Sequence, residues 1–239
     1  MRPQQLPLDE RIHANLIGDL GLGKRDFSHD SVERVMAALN EARSPSPPMI
    51  GEVLWMSVPL AFTLPGRYVY ISRSLVEYCR SDAAVAFAIA HEIAHHDLGH
   101  VNRVSHVFAA EGLAHAPERF ALILVELLSR RLYSRDHEFW ADAYAIGLCR
   151  RADFDPTACL QCFDVLTQYS LDHRDLDGVY GSDVELELNP EAASNTVSRT
   201  LIELRLWAAR HRRPHPSLHE RRQILLKQIS TMQNAVRTV

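Results

Sequence analysis

Hydrophobic and polar residues follow a helical period over most of the chain, which predicts a mostly α-helical protein. A long helix is predicted from Ser81, because an alanine-rich stretch follows this capping serine and contains no glycine before Gly99. The other predicted helices are residues 30–42, about 116–131, about 134–150, about 191–211 and about 217–236.

The first helix has recognisable boundaries. Asp30, with Glu33 three positions later, matches a capping box. The prolines of SPSPP at 44–48 must end this helix, because they lack amide donors. Residues 173–190 carry turn residues without a helical period and are predicted to form a loop.

Two segments in the N-terminal third favour β-structure instead. GEVLWMSV at 51–58 and RYVYISR at 67–73 are rich in β-branched and aromatic residues. The intervening PLAFTLPG has turn chemistry at Pro65 and Gly66. This pattern predicts a small antiparallel sheet, so the protein is expected to be of the α+β class.

Length and composition fit one globular domain. The chain has 239 residues, of which 46% are hydrophobic and 23% charged, so it can bury a substantial core. Within a single domain over 1–239, we expect an N-terminal helical extension over 1–48 and a core unit over 49–170. A C-terminal excursion with further helices would follow over 171–239.

The charge and the apolar runs exclude several classes of protein. A net charge of −4 gives no basic surface for nucleic acid. The N-terminal residues lack the apolar core of a signal peptide, and the apolar run FALILV at 120–125 is far shorter than the roughly 20 residues that span a bilayer. We therefore expect a soluble, cytoplasmic protein with no integral membrane span, for which peripheral membrane contact stays open.

The four cysteines are predicted to be buried thiols of a reduced protein. CLQC at 159–162 follows Asp155, which can cap a helix, and Pro156, which suits its first position. Cys159 and Cys162 then share an apolar stripe with Phe163. A redox or metal-binding role is the alternative for this pair.

The decapeptide HEIAHHDLGH, residues 91–100, contains the candidate chemistry. In a helix, His91 and His95 lie on one face and can direct their imidazoles at one metal ion, with Glu92 beside them. The same ten residues would also fit a histidine-rich helix face that has no metal-binding or catalytic role. The apolar residues Val85, Ala88 and Ile89 on the same helix favour a buried metal site, since an ion would compensate the buried polar groups.

A catalytic zinc site needs a third protein ligand. His100 is one position away from the metzincin spacing, so it is a poor candidate. The later segment SRDHEFWAD offers Glu138 as the ligand, and Asp142, one turn on, can accept the distal N–H of a ligating imidazole. The other histidines, His96, His100, His106 and His115, are expected to be polar helix or loop residues, with an approach of His100 to the site as the alternative.

Four ordered segments carry a family resemblance. AFTLPGRYVYISRSLVE, AIAHEIAHHDLGHV, YSRDHEFWADAYAIGL and HPSLHERRQIL resemble the signatures of the HtpX-like and CAAX prenyl protease family of gluzincin metallopeptidases. The resemblance implies a zincin-like core and one Zn²⁺ per chain bound by His91, His95 and Glu138. It also implies Glu92 as general base on a zinc-bound water. It places His215 and Arg221 close to the metal, where either is a candidate donor to the oxyanion; His215 is the one expected to be catalytic, and Arg221 is expected as an outer partner.

These observations predict a zinc endopeptidase that acts on unfolded or damaged polypeptides. The strand RYVYISR, if at a sheet edge, would pair with an extended polypeptide substrate. The first alternative is a zinc-stabilised, chaperone-like polypeptide-binding protein, in which His215 as a fourth ligand closes the site. The second is a regulatory or scaffold protein with a fortuitous motif. The natural substrate and the oligomeric state are not encoded in recognisable form.

Overall fold

The structure is a computed structural model that describes residues 10, 13–14, 25–56, 59–102, 133–172 and 216–237. The helices predicted at 116–131 and 191–211 and the loop at 173–190 lie outside these residues. So do His106, His115 and His215. The division of a single domain at residues 48 and 170 stays a prediction.

Helix α1, Phe27–Ala42, begins earlier than predicted. Its N-cap is Asp26 instead of Asp30: the Asp26 carboxylate accepts the N–H of Ser28, and the His29 side chain accepts the N–H of Asp26. Asp26 also accepts a hydrogen bond from Arg73 at 2.6 Å, a tertiary contact that the local pattern does not reveal. The helix ends before SPSPP, as predicted.

The sheet of the described residues is mixed and not purely antiparallel. Its strands are β1, Ile50–Leu54; β2, Ala61–Thr63; and β3, Tyr68–Ser72, in the order β1-β3-β2. The predicted antiparallel pairing of 51–58 with 67–73 is wrong, because β1 and β3 are parallel and β2 forms the antiparallel hairpin with β3. Gly66 supplies the positive φ of 119° in the predicted turn, but that turn follows the unpredicted β2. The extra strand reverses the chain once more and leaves β3 parallel to β1.

The place of β3 corrects a second prediction. RYVYISR was expected at a sheet edge, yet β3 is hydrogen-bonded on both sides and all five of its residues are buried. The edges within the described sheet are β1 and β2. A polypeptide therefore cannot add to this sheet along β3.

Two of the remaining helices begin at the capping residues that the sequence predicts, Ser81 and Asp155, whereas the cap Ser134 and the whole of the helix Arg73–Cys79, capped by Ser72, were not predicted. Ser81, Ser134 and Asp155 each accept backbone N–H groups in the first turn of the helix that follows. The helices are α2, Arg73–Cys79; α3, Asp82–Asp97; α4, Arg135–Arg151; α5, Pro156–Cys159; α6, Gln161–Asp172; and α7, Leu218–Arg237.

Helix α3 is the centre of the core. Residues 84–91 are all buried, so the helix is enclosed on every side and packs on α1, α4, α5, α6 and β2. All four cysteines are buried and unpaired by disulfides, as predicted. The expectation of a mostly helical α+β protein is confirmed, while the zincin-like core stays a prediction. No helix among the described residues is long and apolar enough to cross a membrane.

Candidate metal centre

Two histidines of α3 face each other inside the core. His91 is 8% and His95 1% exposed, and their Nε2 atoms lie 3.1 Å apart. The four-residue spacing places the two rings one turn apart on one side of the helix, as the sequence predicts. Two ring nitrogens at this distance can share one metal ion.

Helix α4 brings a carboxylate to the same point. One oxygen of Glu138 lies 3.6 Å from His91 Nε2 and the other lies 3.6 Å from His95 Nε2. Ligands at zinc distances in a tetrahedral arrangement would be about 3.3 Å apart. Within the part of the chain that the structure describes, these three residues are the one group of His, Cys, Asp and Glu side chains close enough to hold a metal ion.

Both predicted outer partners contact this group. Asp142 lies one turn after Glu138 on α4, and its Oδ1 is 3.0 Å from His91 Nδ1. Arg221, from α7, donates to both oxygens of Asp142 at 2.8 and 2.6 Å, and its other terminal nitrogen lies 2.9 Å from Glu138 Oε2. Three helices therefore meet at one charged network.

A sequence model of peptidase family M48 matches residues 27–229, which contain α3, α4 and Arg221. The chain belongs to peptidase family M48. This membership confirms the resemblance to HtpX-like and CAAX prenyl proteases. The M48 match also covers all three strands and the caps Ser81, Ser134 and Asp155.

A curated relative supports the same assignment for this M48 chain. It is similar to the mitochondrial metalloendopeptidase OMA1 of Saccharomyces cerevisiae, with 29% identity over a region covering 46% of this chain and 34% of the yeast protein. The aligned region thus spans about a third of the length of that relative.

Arg221 and His91 keep the carboxylates of Glu138 and Asp142 ionised. Burial would raise the pKa values of Glu138 and Asp142, but the Arg221 guanidinium and the His91 imidazole outweigh it and lower both. Burial and Arg221 favour neutral His91, yet hydrogen bonds to Asp142 and Glu138 raise its pKa. Burial lowers the pKa of His95 well below its usual value, and His91 adds to that effect.

Glu92 has the electrostatic character of a proton acceptor and donor. Burial raises its pKa to about 7, with Glu138 adding to the rise and His91 and Arg221 opposing it. A backbone hydrogen bond from Thr63 of β2 also favours its ionised form. A carboxyl group with a pKa near neutrality can take up and release a proton with little cost in either direction.

Two residues that contact the candidate ligand group of His91, His95 and Glu138 were not assigned to it from sequence. Tyr133 stacks on the His95 ring, with centroids 3.8 Å apart and planes at 10°; it is the first residue of the segment YSRDHEFWADAYAIGL, but no role was assigned to it. His100 is buried and its Nδ1 lies 2.9 Å from His95 Nδ1. The sequence offered this approach only as the alternative to a polar helix or loop position. His96 remains half-buried on α3, outside the group.

Proposed function

We propose that this M48 family member is a zinc-dependent endopeptidase that hydrolyses peptide bonds in unfolded or damaged polypeptides. The observation that carries the proposal is the convergence of His91, His95 and Glu138 next to the partly buried Glu92. The metalloendopeptidase name of the yeast relative supports the same activity. The finer parts of the proposal concern the metal, the proton transfers and the substrate.

The residues present fit one divalent ion per chain. Because Asp142 is ionised, His91 donates its Nδ1 proton to it, which leaves the Nε2 lone pair directed at the group. Ionised Glu138 and Asp142 with one Arg221 guanidinium leave one net negative charge in a buried place, and ionisation of Glu92 adds a second. A divalent cation neutralises them.

Zinc bound by two imidazoles and a carboxylate would lower the pKa of a water molecule to about 7 and polarise a substrate carbonyl. Other divalent metals accept the same ligands, so zinc is proposed on the family pattern. His91, His95 and Glu138 would hold the ion in place. Asp142 and Arg221 would orient two of these three ligands.

Glu92 would act as the general base. Its carboxylate takes the proton of the attacking water and then delivers it to the leaving amine, two transfers that its pKa of about 7 suits. The Thr63 N–H holds this carboxylate toward β2. Glu92 would thus connect the metal group with the strand that lies beside it.

The oxyanion donor is proposed to be His215. Arg221, which the family pattern also offers, already directs its nitrogens at Asp142 and Glu138. An arginine engaged in this way orients the two carboxylates and has little capacity left for a substrate oxygen. His215 lies outside the described residues, immediately before Pro216 and the α7 region that brings Arg221 to the metal group.

Strand β2 is the proposed docking strand for a polypeptide substrate. Within the described sheet it is paired on one side only, through Ala61, Phe62 and Thr63 with β3. It packs on α3 and reaches Glu92 through Thr63. An extended peptide added to this edge would bind through main-chain hydrogen bonds, which suits unfolded chains of varied sequence.

The test compares the purified protein with two variants on reduced casein, with the zinc content of all three measured beforehand. Glu92→Gln removes the base, and Glu33→Gln, on an exposed face of α1, is the matched control. We expect fragments from the parent and the control and none from Glu92→Gln, with one zinc per chain in each. Undiminished cleavage by Glu92→Gln would contradict the assignment of the base.

The same experiment separates the alternatives. A parent that binds zinc and does not cleave would favour the closed-site, polypeptide-binding protein. In that case His215→Ala should open a ligand position and release activity. A parent that binds no metal would favour the regulatory or scaffold protein. The endopeptidase is the function that the buried, pre-assembled ligand group supports best.

A further inference from the structure

His95 is held on three sides. Its Nε2 faces His91 and Glu138, its Nδ1 meets His100, and Tyr133 covers its ring. His91 differs at its outer nitrogen, because there the partner is the carboxylate of Asp142. The two imidazoles of the proposed metal site thus have outer partners of different charge.

With a metal ion on His95 Nε2, the 2.9 Å contact between His95 Nδ1 and His100 Nδ1 would fix two tautomers at once. A neutral histidine that binds a metal through Nε2 carries its proton on Nδ1. His95 must therefore donate this proton, and His100 must accept it with an unprotonated Nδ1. His100 then carries its own proton on Nε2.

We propose that His100 is a positioning residue, which sets the tautomer and the ring orientation of His95 through this hydrogen bond between neutral imidazoles. The inference rests on the metal site of the proposed function and adds a third histidine to its described residues. A ligating imidazole most often donates to a carboxylate, a carbonyl or water. Here a second imidazole fills that place.

The turn after α3 makes this contact geometrically feasible. In a continuous helix, residue 100 would point about 140° away from residue 95, since each residue turns by about 100°. Instead Gly99 adopts a φ of 73°, and the N–H groups of His100 and Gly99 bond to the carbonyls of His95 and His96. This is a Schellman motif, which folds the chain back over the last turn and points the His100 ring at His95.

A second element braces His100 from the other side. Its ring stacks on His137 of α4, with centroids 4.0 Å apart and planes at 18°. His137 in turn accepts the N–H of Ser134 at the start of α4. The start of the helix that carries Glu138 therefore holds the residue that orients His95.

The test follows the ring N–H protons of the cobalt(II)-substituted protein by NMR, together with cobalt affinity from competition with a chelator. We expect two shifted, exchangeable N–H signals in the parent, from His91 and His95. His100→Phe keeps an aromatic ring and removes the acceptor, so the signal of His95 should vanish by exchange while that of His91 remains. Affinity should fall about 10- to 100-fold.

His100→Asn keeps an acceptor and should restore the His95 signal and most of the affinity, which a purely packing role would not predict. His219→Phe, an exposed histidine on α7, is the matched control. If folded His100→Phe retained both N–H signals and full cobalt affinity, the inference would be overturned while the metal site stayed intact. An Asn variant that behaved like the Phe variant would overturn it as well. A parent that binds no cobalt would overturn the proposed function and the inference with it.

Discussion

The charged network predicts a large effect of removing Arg221. Arg221→Met retains an unbranched apolar stem and removes a guanidinium that bonds to Asp142, which is 2% exposed, and to Glu138, which is 6% exposed. Removing one partner of a buried ion pair typically costs about 3–5 kcal/mol, because the other charge is left without compensation. We expect a loss of this size in the free energy of unfolding of the metal-free protein.

The adjacent Arg222 provides the control. It pairs with Asp164, and the two side chains are 32% and 57% exposed, so solvent screens this pair. Arg222→Met should cost about 0–1 kcal/mol. Urea unfolding at neutral pH measures both variants against the parent, first with chelator and then with saturating zinc.

Zinc should reduce the cost of Arg221→Met, because the ion supplies Glu138 with positive charge in place of the guanidinium. Saturating zinc should therefore stabilise this variant more than it stabilises the parent. A loss below about 1 kcal/mol in the metal-free protein, equal to that of Arg222→Met, would refute the view that Arg221 compensates buried charge.

Three further predictions concern the scaffold. Burial opposes ionisation of Asp26, but Arg73 and the N–H of Ser28 lower its pKa from 3.8 to about 2. Asp26→Asn should therefore cost about 2 kcal/mol of unfolding free energy above pH 4. In urea unfolding, the difference between the parent and this variant should disappear as the pH falls through 2. Gly51→Ala would bring a Cβ within 2.7 Å of Met36 Cγ and 2.8 Å of Val32 Cγ1, so thermal unfolding should show a loss of about 1–3 kcal/mol; an unchanged stability would contradict this close packing. A thiol reagent should label the four buried cysteines slowly in the native protein and all of them in urea; fast native labelling would contradict their burial.

The local parts of this fold were predictable from sequence because they depend on neighbouring residues. The caps at Ser81 and Asp155 and the four-residue spacing of His91 and His95 follow from helix geometry alone. Glu138 could be predicted because a third ligand was needed and a carboxylate stood at a suitable place on a later helix. Its membership of one group with both histidines is what the structure adds.

The errors arose where long-range contacts decide the outcome. The direction of β1 relative to β3 depends on whether the chain forms one more strand between them. That strand, β2, has only three residues, which is too short to give a recognisable β-pattern in the sequence. Asp26 replaces Asp30 as the cap because Arg73, distant in sequence, also binds it. His100 faces His95 only because Gly99 leaves helical geometry, so a helical spacing rule places it on the wrong side.

The position of Arg221 also has a consequence for how the protein is made. It contacts His91 across 130 residues of chain, so a growing polypeptide has already exposed both histidines, Glu92 and Glu138 long before this arginine is synthesised. Until α7 docks, the two buried carboxylates lack their guanidinium. In the metal-free protein, the ligand-bearing helices α3 and α4 therefore gain full charge compensation only when the last described helix docks, so this centre should be completed late in folding.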